Sequence, residues 1–293
     1  MSGNTLAIDL GGTRLRAGLA ASSDPTEVEA IGEWPVPKSL GDFTALVGRL
    51  LAVHDAGKLG IGIPGLARST ICAWVPNLPY LDGRDLAALF PGVAIALGND
   101  AQFSLVAEVA AGVGQGVDDA ILLAIGTGIG SAVLAGGRIV RGSAGGACSF
   151  GWACADAGDA GEDRSGWLER NASGRALDAI ATRLGLADGL ALIDAARRGD
   201  PGALAALEVP MQRLGTALAG AVALLDPQVL IVAGGLASAI EVVAPAILYA
   251  LRRQLPPHLR AIDIRPGRLG SSAGLVGAAV AGSRGATWWN GHG

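Results

Sequence analysis

A glycine pair between two short apolar runs, in residues 6–19, constrains the fold of this chain more than any other feature. The apolar runs predict two buried strands, and Gly11 and Gly12 predict the turn that joins them. Glycines permit positive φ and remove the Cβ atoms from a turn, so a phosphate group can approach the backbone N–H groups closely. Thr13 adds a hydroxyl donor, and Asp9 at the end of the first strand is placed to hold Mg²⁺ through water, because hard cations prefer oxygen ligands. An ordinary hairpin that carries an unrelated aspartate explains these residues equally well.

A second loop of the same kind lies in residues 124–133, where Gly126, Thr127 and Gly128 separate two further apolar runs. This stretch again predicts a strand, a tight turn without bulky side chains and a second strand. One such loop is weak evidence for phosphate binding, whereas two in one chain favour a protein that holds the phosphate chain of a nucleotide.

Composition limits the class of protein and its partners. The chain has 293 residues, enough for two domains, and is 51% hydrophobic but only 4% aromatic, so Ala, Val, Leu and Ile must build the cores. The formal net charge is −4, and no cluster of Lys and Arg stands out, which argues against nucleic acid and anionic membranes as partners.

The same sequence indicates a cytoplasmic protein. Three cysteines and the lack of a secretory signal argue against a disulfide framework. Mean hydropathy is positive, at +0.44. The apolar runs at residues 217–225 and 273–281 are nevertheless shorter than the ~20 residues that a membrane-spanning helix requires.

Periodicity predicts an alternation of strands and helices along the chain. Beyond the first hairpin, strands are expected at residues 27–35, 59–64, 93–97, 120–125, 130–134, 229–232 and 262–265. Helices are expected at residues 43–53, 85–90, 101–111, 208–225, 245–255 and 272–281. Residues 142–166, rich in Gly, Ala and Asp, predict an irregular region, and residues 288–293 predict a tail that is disordered or forms an interface.

An Asn-Asp pair stands where the strand at residues 93–97 gives way to the helix at residues 101–111. Asn99 or Asp100 is suited to cap this helix, because both side chains accept hydrogen bonds from free backbone N–H groups. The functional alternative is a catalytic base at Asp100, with Asn99 beside it to bind a substrate hydroxyl. These residues alone leave both alternatives open.

Residues 9–16, with the sequence Asp-Leu-Gly-Gly-Thr-Arg-Leu-Arg, resemble the first phosphate motif of the actin-like ATPase superfamily in its ROK sugar-kinase form. Later segments follow in the order of that family, at residues 64–65, 76–78, 98–100, 125–130, 225–235 and 269–279. The resemblance covers nearly the whole chain. It implies an α/β protein of two ribonuclease-H-like domains with a nucleotide cleft between them. We place the smaller domain at residues 1–112 and the larger at residues 113–293.

The resemblance also implies an ATP-dependent kinase that uses Mg²⁺. Asp100 would be the catalytic base, and Asp9 would hold Mg²⁺ through water. The implied nucleotide-binding residues are Asp9, Gly11, Gly12, Thr13, Arg16, Gly126, Thr127, Gly128, Gly234 and Gly235. The implied acceptor-binding residues are Gly65, Asn77, Asn99, Asp100, Ser149, Trp152 and Glu169.

Assembly and domain content are also implied by the resemblance. We expect a homodimer, formed through the apolar Gly/Ala helices that contain residues 217–225 and 272–281 together with the tail. The alternative is that these helices pack in the C-terminal core. Because the chain starts at the phosphate hairpin, we expect it to lack the N-terminal DNA-binding extension of ROK repressors.

One motif departs from the family pattern. ROK sugar kinases usually carry Gly-Glu-x-Gly-His, where this chain has Cys-Ser-Phe-Gly-Trp at residues 148–152. The Glu and His that bind sugar hydroxyls in the family therefore correspond to Ser149 and Trp152. The family's structural zinc needs four N or S ligands, which Cys148 and Cys154 cannot supply, so we expect no zinc site.

Two functions from different classes follow from these observations. The first is a kinase for a hydroxyl of a sugar or sugar-like polyol other than plain glucose, such as a cyclitol, a carbasugar or a modified hexose. Trp152 would stack on ring C–H groups of this acceptor, or else fill the core where zinc is missing. The second is a non-catalytic regulatory protein that binds a sugar or a nucleotide, which the changes at Ser149 and Trp152 suggest and the presence of Asp100 opposes.

Overall fold

The computed structural model describes residues 3–290. Its strands are, in chain order, β1 (Asn4–Leu10), β2 (Arg14–Ala21), β3 (Asp24–Pro35), β4 (Ala56–Ile63), β5 (Leu66–Arg68), β6 (Ile71–Trp74), β7 (Arg84–Asp85), β8 (Ala94–Asn99), β9 (Ala120–Ile125), β10 (Ile129–Ala135), β11 (Arg138–Ile139), β12 (Val229–Ala233) and β13 (Ile264–Pro266). Its α-helices are α1 (Leu40–Val53), α2 (Leu86–Leu89), α3 (Asp100–Ala111), α4 (Trp167–Ala172), α5 (Gly174–Arg183), α6 (Gly189–Arg197), α7 (Pro201–Leu225), α8 (Ile240–Gln254) and α9 (Ala273–Arg284).

The chain folds into two compact units. Within the described residues, the first unit contains residues 3–116, 132–147 and 268–290, and the second contains residues 117–131 and 148–267. The single boundary expected at residues 112/113 is therefore too simple. The C-terminal helix α9 belongs to the first unit, because it packs on β1, β4 and α3 of that unit.

The first unit is built on a five-stranded sheet with the strand order β3-β2-β1-β4-β8. Strand β1 is antiparallel to β2 and parallel to β4, and β4 is parallel to β8. The apolar residues 6–8 of β1 are all buried, which is typical of a central strand covered on both faces. A small sheet of β5, β6 and β7, which the sequence did not predict, follows β4.

Helix α9 explains the many small residues near the C-terminus. A Cβ added at Gly60 in β4 would lie 1.7 Å from the carbonyl oxygen of Ala278, and one added at Gly277 would lie 1.9 Å from that of Phe103. Only glycine lets the backbones of these elements approach so closely. The helix is thus a core element, and the expectation that it forms a dimer interface is wrong.

The tail is likewise part of the first unit as far as the structure describes it. Trp288 is 1% exposed, and Trp289 packs against its ring at 5.9 Å between ring centroids. Residues 288–290 are therefore neither disordered nor a free interface, while residues 291–293 lie outside the described part. Of the features proposed for a dimer, helix α7 has large exposed apolar side chains: Leu204, Val209 and Leu224.

The second five-stranded sheet has the order β11-β10-β9-β12-β13. Strand β12 is parallel to both β9 and β13. Helix α7 begins at Pro201, earlier than expected, because the Asp200 side chain caps it by accepting the backbone N–H of Ala203 at 2.8 Å. Helix α8 also begins early, at Ile240, and contains Pro245 within its length rather than at its start.

Within residues 3–290, one helical stretch, Gly235–Gln254, is long and apolar enough to cross a membrane. About a third of its most apolar window is buried in the protein (33%). Helices from the cores of globular domains have the same length and composition. The run at residues 273–281, which the sequence analysis considered, is buried in α9.

Candidate functional site

The first glycine loop joins β1 to β2 in the first unit. The backbone N–H of Gly11 donates to the carbonyl of Arg14 at 2.8 Å and closes the turn, while Gly12 and Thr13 are exposed. Neither glycine has a positive φ. The glycines matter here because they have no side chain. A Cβ added at Gly12 would lie 3.3 Å from Nδ2 of Asn77.

Asp9 lies half-buried at the end of β1, directly opposite Arg16 of β2. The two side chains form an ion pair, and Arg16 also donates through Nη1 to the carbonyl of Ser271 at 2.8 Å. A Cβ added at Gly274, in the first turn of α9, would lie 2.9 Å from the carboxyl carbon of Asp9. Arg16, which the sequence assigned to the nucleotide, is thus held within the protein by Asp9 and Ser271.

The Asn-Asp pair lies at the junction between β8 and α3. Asn99 is the N-cap, and its side-chain oxygen accepts the backbone N–H of Ala101 at 2.8 Å. The side chain of Gln102 completes a capping box by accepting the backbone N–H of Asn99 at 3.1 Å. Asp100 is the first helical residue and also accepts the Ala101 N–H, at 2.7 Å, but the helix does not depend on it for its cap.

The carboxyl group of Asp100 is electrostatically unusual. Desolvation by the surrounding protein raises its pKa to about 6, the charge of Asp9 adds to the rise, and the hydrogen bond from Ala101 opposes it. The residue itself remains exposed to solvent, so the shift reflects crowding by protein around the carboxyl group rather than its complete removal from water. Such a group can exchange protons near neutral pH.

The acceptor-side residues of the first unit gather around this junction. Ile63 of β4 and Asn99 of β8 are paired across parallel strands, so the segments that follow them leave the same edge of the sheet. The side-chain amide of Asn99 donates to the carbonyl of Gly65 at 3.2 Å. With Asn77 against Gly12, the structure brings Gly65, Asn77, Asn99 and Asp100 to the part of the unit that holds the first glycine loop.

The second glycine loop lies in the second unit, between β9 and β10. The N–H of Gly126 donates to the carbonyl of Gly128 at 3.0 Å, and the N–H of Gly174, at the start of α5, donates to the carbonyl of Gly126 at 2.7 Å. Thr127 is exposed. The loop therefore adjoins the N-terminus of a helix, where the positive end of the helix dipole favours anions.

Gly234 and Gly235, which the resemblance assigned to the nucleotide, lie beside this loop. Gly234 follows β12, which pairs in parallel with β9, and has a φ of +76°. A Cβ added at Gly234 would lie 2.6 Å from the carbonyl oxygen of Ile125, whereas one at Gly235 would lie 3.9 Å from it. The resemblance assigned these glycines to the nucleotide, and the parallel pairing of β12 with β9 brings Gly234 next to the second glycine loop.

Glu169 of α4 lies next to the second loop. A Cβ added at Gly128 would lie 2.9 Å from its Oε1, and one added at Gly151 would lie 3.3 Å from its Oε2. Glu169 forms an ion pair with Arg175 of α5. The carboxylate thus lies between the second glycine loop and the segment of the altered motif.

The altered motif forms a short 3₁₀ helix, Phe150–Trp152, that follows Ser149. The backbone N–H of Phe150 donates to Oγ of Ser131 at 3.1 Å and anchors the segment to β10. The side chain of Trp152 is 51% exposed. The alternative that Trp152 fills the core in place of a metal is therefore wrong.

An arginine holds the loop that follows this motif, a role that the sequence analysis missed. Arg170 donates through Nη2 to both carboxylate oxygens of Asp159, at 2.6 and 2.8 Å, and through Nη1 to the carbonyl of Ser165 at 2.7 Å. The hydrogen bond from Arg170 holds the pKa of Asp159 below its usual range. Across residues 3–290, no group of three or more His, Cys, Asp or Glu side chains is arranged to hold a metal ion.

The two α/β units and the match to solved ROK structures define a protein with the actin-like ATPase fold. The ROK family model matches residues 5–283, and the chain belongs to the ROK family.

Several relatives of known activity are sugar kinases. The kanosamine kinase of Amycolatopsis mediterranei is 30% identical over 93% of this chain and 94% of its own length. The N-acetylmannosamine kinase of Escherichia coli is 30% identical over 94% of this chain and 97% of its own. Among solved structures, the ROK glucokinase of Streptomyces griseus in complex with glucose and AMPPNP has a TM-score of 0.77 and 28% identity, covering 97% of this chain and 100% of that one. The family evidence thus supports sugar phosphorylation and leaves the acceptor open.

Proposed function

We propose that this protein transfers the γ-phosphoryl group of ATP to a hydroxyl group of a sugar or a sugar-like polyol, with Asp100 as the general base. The position of Asp100 carries the proposal. Asn99 caps α3, so the helix does not depend on the carboxylate of Asp100, and Asp100 is exposed with a raised pKa. A base with a pKa near the working pH suits the removal of a proton from an alcohol.

In the proposed reaction, Asp100 accepts the proton of the acceptor hydroxyl as its oxygen bonds to the γ-phosphorus. The bond between that phosphorus and the bridging oxygen breaks, and ADP leaves. Backbone N–H groups of the two glycine loops, at residues 12–13 and 127–128, would hold phosphate oxygens, whereas those of Gly11 and Gly126 donate within their own turns. Phosphoryl transfer needs mainly positioning and charge stabilisation, which such loops supply.

The residues of the first unit fit a bound Mg²⁺ ion. Two carboxylates, Asp9 and Asp100, lie near enough for the charge of Asp9 to raise the pKa of Asp100, and carboxylate oxygens are ligands that Mg²⁺ prefers. Asp9 would hold the ion through water while Arg16 fixes the orientation of its carboxylate. When bound, the ion would neutralise charge on the phosphates.

The acceptor is proposed to differ from plain glucose. Ser149 and Trp152 stand where the resemblance places hydroxyl-binding Glu and His residues, and the exposed indole of Trp152 offers a flat apolar face. Such a face suits the C–H groups of a ring better than its hydroxyl groups. A cyclitol, a carbasugar or a modified hexose fits this arrangement.

The test is ADP release from ATP and Mg²⁺ with glucose, mannose, N-acetylmannosamine, kanosamine, inositols and C7-cyclitols as acceptors. Turnover with at least one acceptor supports the kinase, and glucose as the best substrate by a wide margin overturns the altered acceptor. Calorimetry with ATP and each acceptor runs in parallel. Binding without ADP release would instead establish a non-catalytic regulatory protein, the alternative that the changes at Ser149 and Trp152 favour.

A further inference from the structure

The C-terminal tryptophan pair has no part in the proposed chemistry, yet one of its members is among the most buried side chains of the first unit. Trp288 is 1% exposed and follows a short 3₁₀ helix, Gly285–Thr287, after α9. An indole ring at the end of a chain becomes this buried only where the protein provides a complete set of neighbours for it. Those neighbours identify what the ring supports.

Trp288 contacts both sides of the junction that carries Asp100. On the strand side, its Nε1 donates to the carbonyl of Leu97 at 3.2 Å, and a Cβ added at Gly98 would lie 2.9 Å from its ring. On the helix side, its ring packs edge-to-face on Phe103 of α3, with centroids 5.0 Å apart. Asn99 and Asp100 are thus flanked in the chain by residues that the same ring holds.

The location of β8 explains why such support is needed. Strand β8 is at the edge of the sheet, so its outer side has no neighbouring strand within the sheet to pair with its backbone. The indole N–H supplies a partner for the carbonyl of Leu97 two residues before Asn99. A strand end held on both sides moves less than one that pairs only with β4.

The tail is itself fixed from its other side. The carbonyl of Trp289 accepts the backbone N–H of Ile139 at 3.1 Å, and the guanidinium of Arg141 lies 3.8 Å from the centre of the Trp289 ring. Trp289 in turn packs edge-to-face on Trp288. The position of Trp288 is therefore determined by several contacts within the first unit rather than by the end of α9 alone.

From this geometry we propose that Trp288 is a positioning residue, which holds the junction of β8 and α3 so that Asp100 keeps its orientation toward the acceptor. The part that concerns the acceptor rests on the proposed kinase function, whereas the support of the junction does not. Loss of the ring should loosen residues 97–103 and lower the catalytic rate without changing how ATP is held. Displacement of a catalytic group by about 1 Å can cost on the order of 10²-fold in rate.

The test compares Trp288→Ala and Trp288→Phe with a control, Phe43→Ala. Phe43 is also a fully buried aromatic residue of the first unit, but its ring pairs with Phe90 and not with a residue of α3. Hydrogen exchange of residues 97–103 and steady-state kinetics are measured under conditions where circular dichroism shows each variant to be folded. The exchange measurement needs no substrate, so it remains informative if the wild type proves not to be a kinase.

For Trp288→Ala, we expect at least tenfold faster exchange at residues 97–103, a fall in kcat of about tenfold or more, and a KM for ATP within about twofold of wild type. Trp288→Phe keeps the packing on Phe103 and loses the N–H donor, so it should lie between Trp288→Ala and wild type. Phe43→Ala removes an equally buried ring, and its effects on the exchange of residues 97–103 and on kcat should both be smaller than those of Trp288→Ala.

The proposal is overturned if Trp288→Ala is folded and its residues 97–103 exchange hydrogen at the same rate as in the wild type. A kcat that falls equally in Phe43→Ala overturns it too, because the effect would then be general destabilisation. If Trp288→Ala does not fold, Trp288→Phe is the test variant. An exchange rate at residues 97–103 and a kcat equal to those of the wild type then count against the proposal. Absence of ADP release by the wild type would refute the kinase function and leave the exchange result to judge the structural support.

Discussion

Asn99 accepts the backbone N–H of Ala101 at 2.8 Å and so caps the helix whose first residue is Asp100. This relationship separates the structural role of the pair from its catalytic role. Asp100→Asn should therefore leave the free energy of unfolding at neutral pH within about 0.5 kcal/mol of wild type or slightly above it, because the cap is intact. Turnover should fall by ~10²–10⁴-fold, because an amide cannot accept the proton.

The control for this prediction is Asn99→Ala, which removes the cap and should cost about 1 kcal/mol of stability in a denaturant titration. Steady-state ADP release measures the predicted loss of turnover in Asp100→Asn. A folded Asp100→Asn enzyme with nearly normal turnover would exclude Asp100 as the base and would remove the main support for the kinase.

The raised pKa of Asp100 predicts how activity depends on pH. With a pKa of about 6, the carboxyl group is protonated at lower pH and cannot act as a base. The rate should therefore rise with pH through about 6 and level off above it, as measured in buffers of constant ionic strength. A pH-rate profile that is flat from pH 5 to about 7 would contradict this assignment.

The raised pKa of Asp100 also predicts how the stability of the protein changes with pH. Between its usual pKa of 3.8 and about 6, Asp100 binds a proton more readily in the folded protein than in the unfolded chain. Its contribution to the free energy of unfolding must therefore decrease as pH rises through this window. Unfolding of wild type and Asp100→Asn across this range should show wild type losing stability relative to the variant as pH increases. The opposite trend would mean that the folded protein favours the charged carboxylate.

The exposure of Trp152 predicts an effect on the acceptor alone. Because the side chain is 51% exposed, Trp152→Ala should change the free energy of unfolding by about 0.5 kcal/mol or less. Loss of ring stacking worth about 1 kcal/mol would raise the KM for the acceptor roughly fivefold and leave that for ATP unchanged. Tyr249→Ala is the matched control, since Tyr249 is a 55% exposed aromatic residue of α8 whose ring contacts Arg253. Equal effects of the two variants on the acceptor KM would exclude a specific role for Trp152.

The contact between α5 and the second glycine loop predicts a sensitive position at Gly174. A Cβ there would lie 2.5 Å from the carbonyl oxygen of Gly126, a backbone atom that cannot move away without shifting the loop. Gly174→Ala should cost roughly 1–3 kcal/mol of stability and raise the KM for ATP. Gly220→Ala in α7 of the same unit, where an added Cβ meets nothing within 4 Å, should instead be neutral or stabilising. Wild-type stability and ATP affinity in Gly174→Ala would show that the loop tolerates displacement.

Much of this protein could be predicted from short stretches of sequence. The strand at residues 120–125 was predicted with its observed bounds, because an apolar run that ends in glycines is a local signal. The two glycine loops and the junction at Asn99 were found for the same reason. The family was identified from the order of such motifs, and the match over residues 5–283 confirms it.

Contacts between residues far apart in the chain could not be predicted in this way. The sequence analysis left open whether Asn99 or Asp100 is the cap, although Gln102 three residues after Asn99 is a local capping-box signal; the structure shows Asn99 in that role. The composition of α9 is equally suited to an interface and to a core, and only its packing on β4 and α3 distinguishes them. Arg170 carries no local signal, because its partner Asp159 belongs to an irregular loop.

The sequence by itself determined the class of fold, the two glycine turns and the identity of the candidate base, because each depends on residue types within a few positions of one another. The tertiary structure alone decided that α9 returns to the first unit, that Trp152 is exposed, and that Trp288 is buried beneath the strand leading to Asp100. Burial depends on which surfaces meet when distant segments pack, and a tryptophan near a chain end has the same local sequence whether it is buried or free.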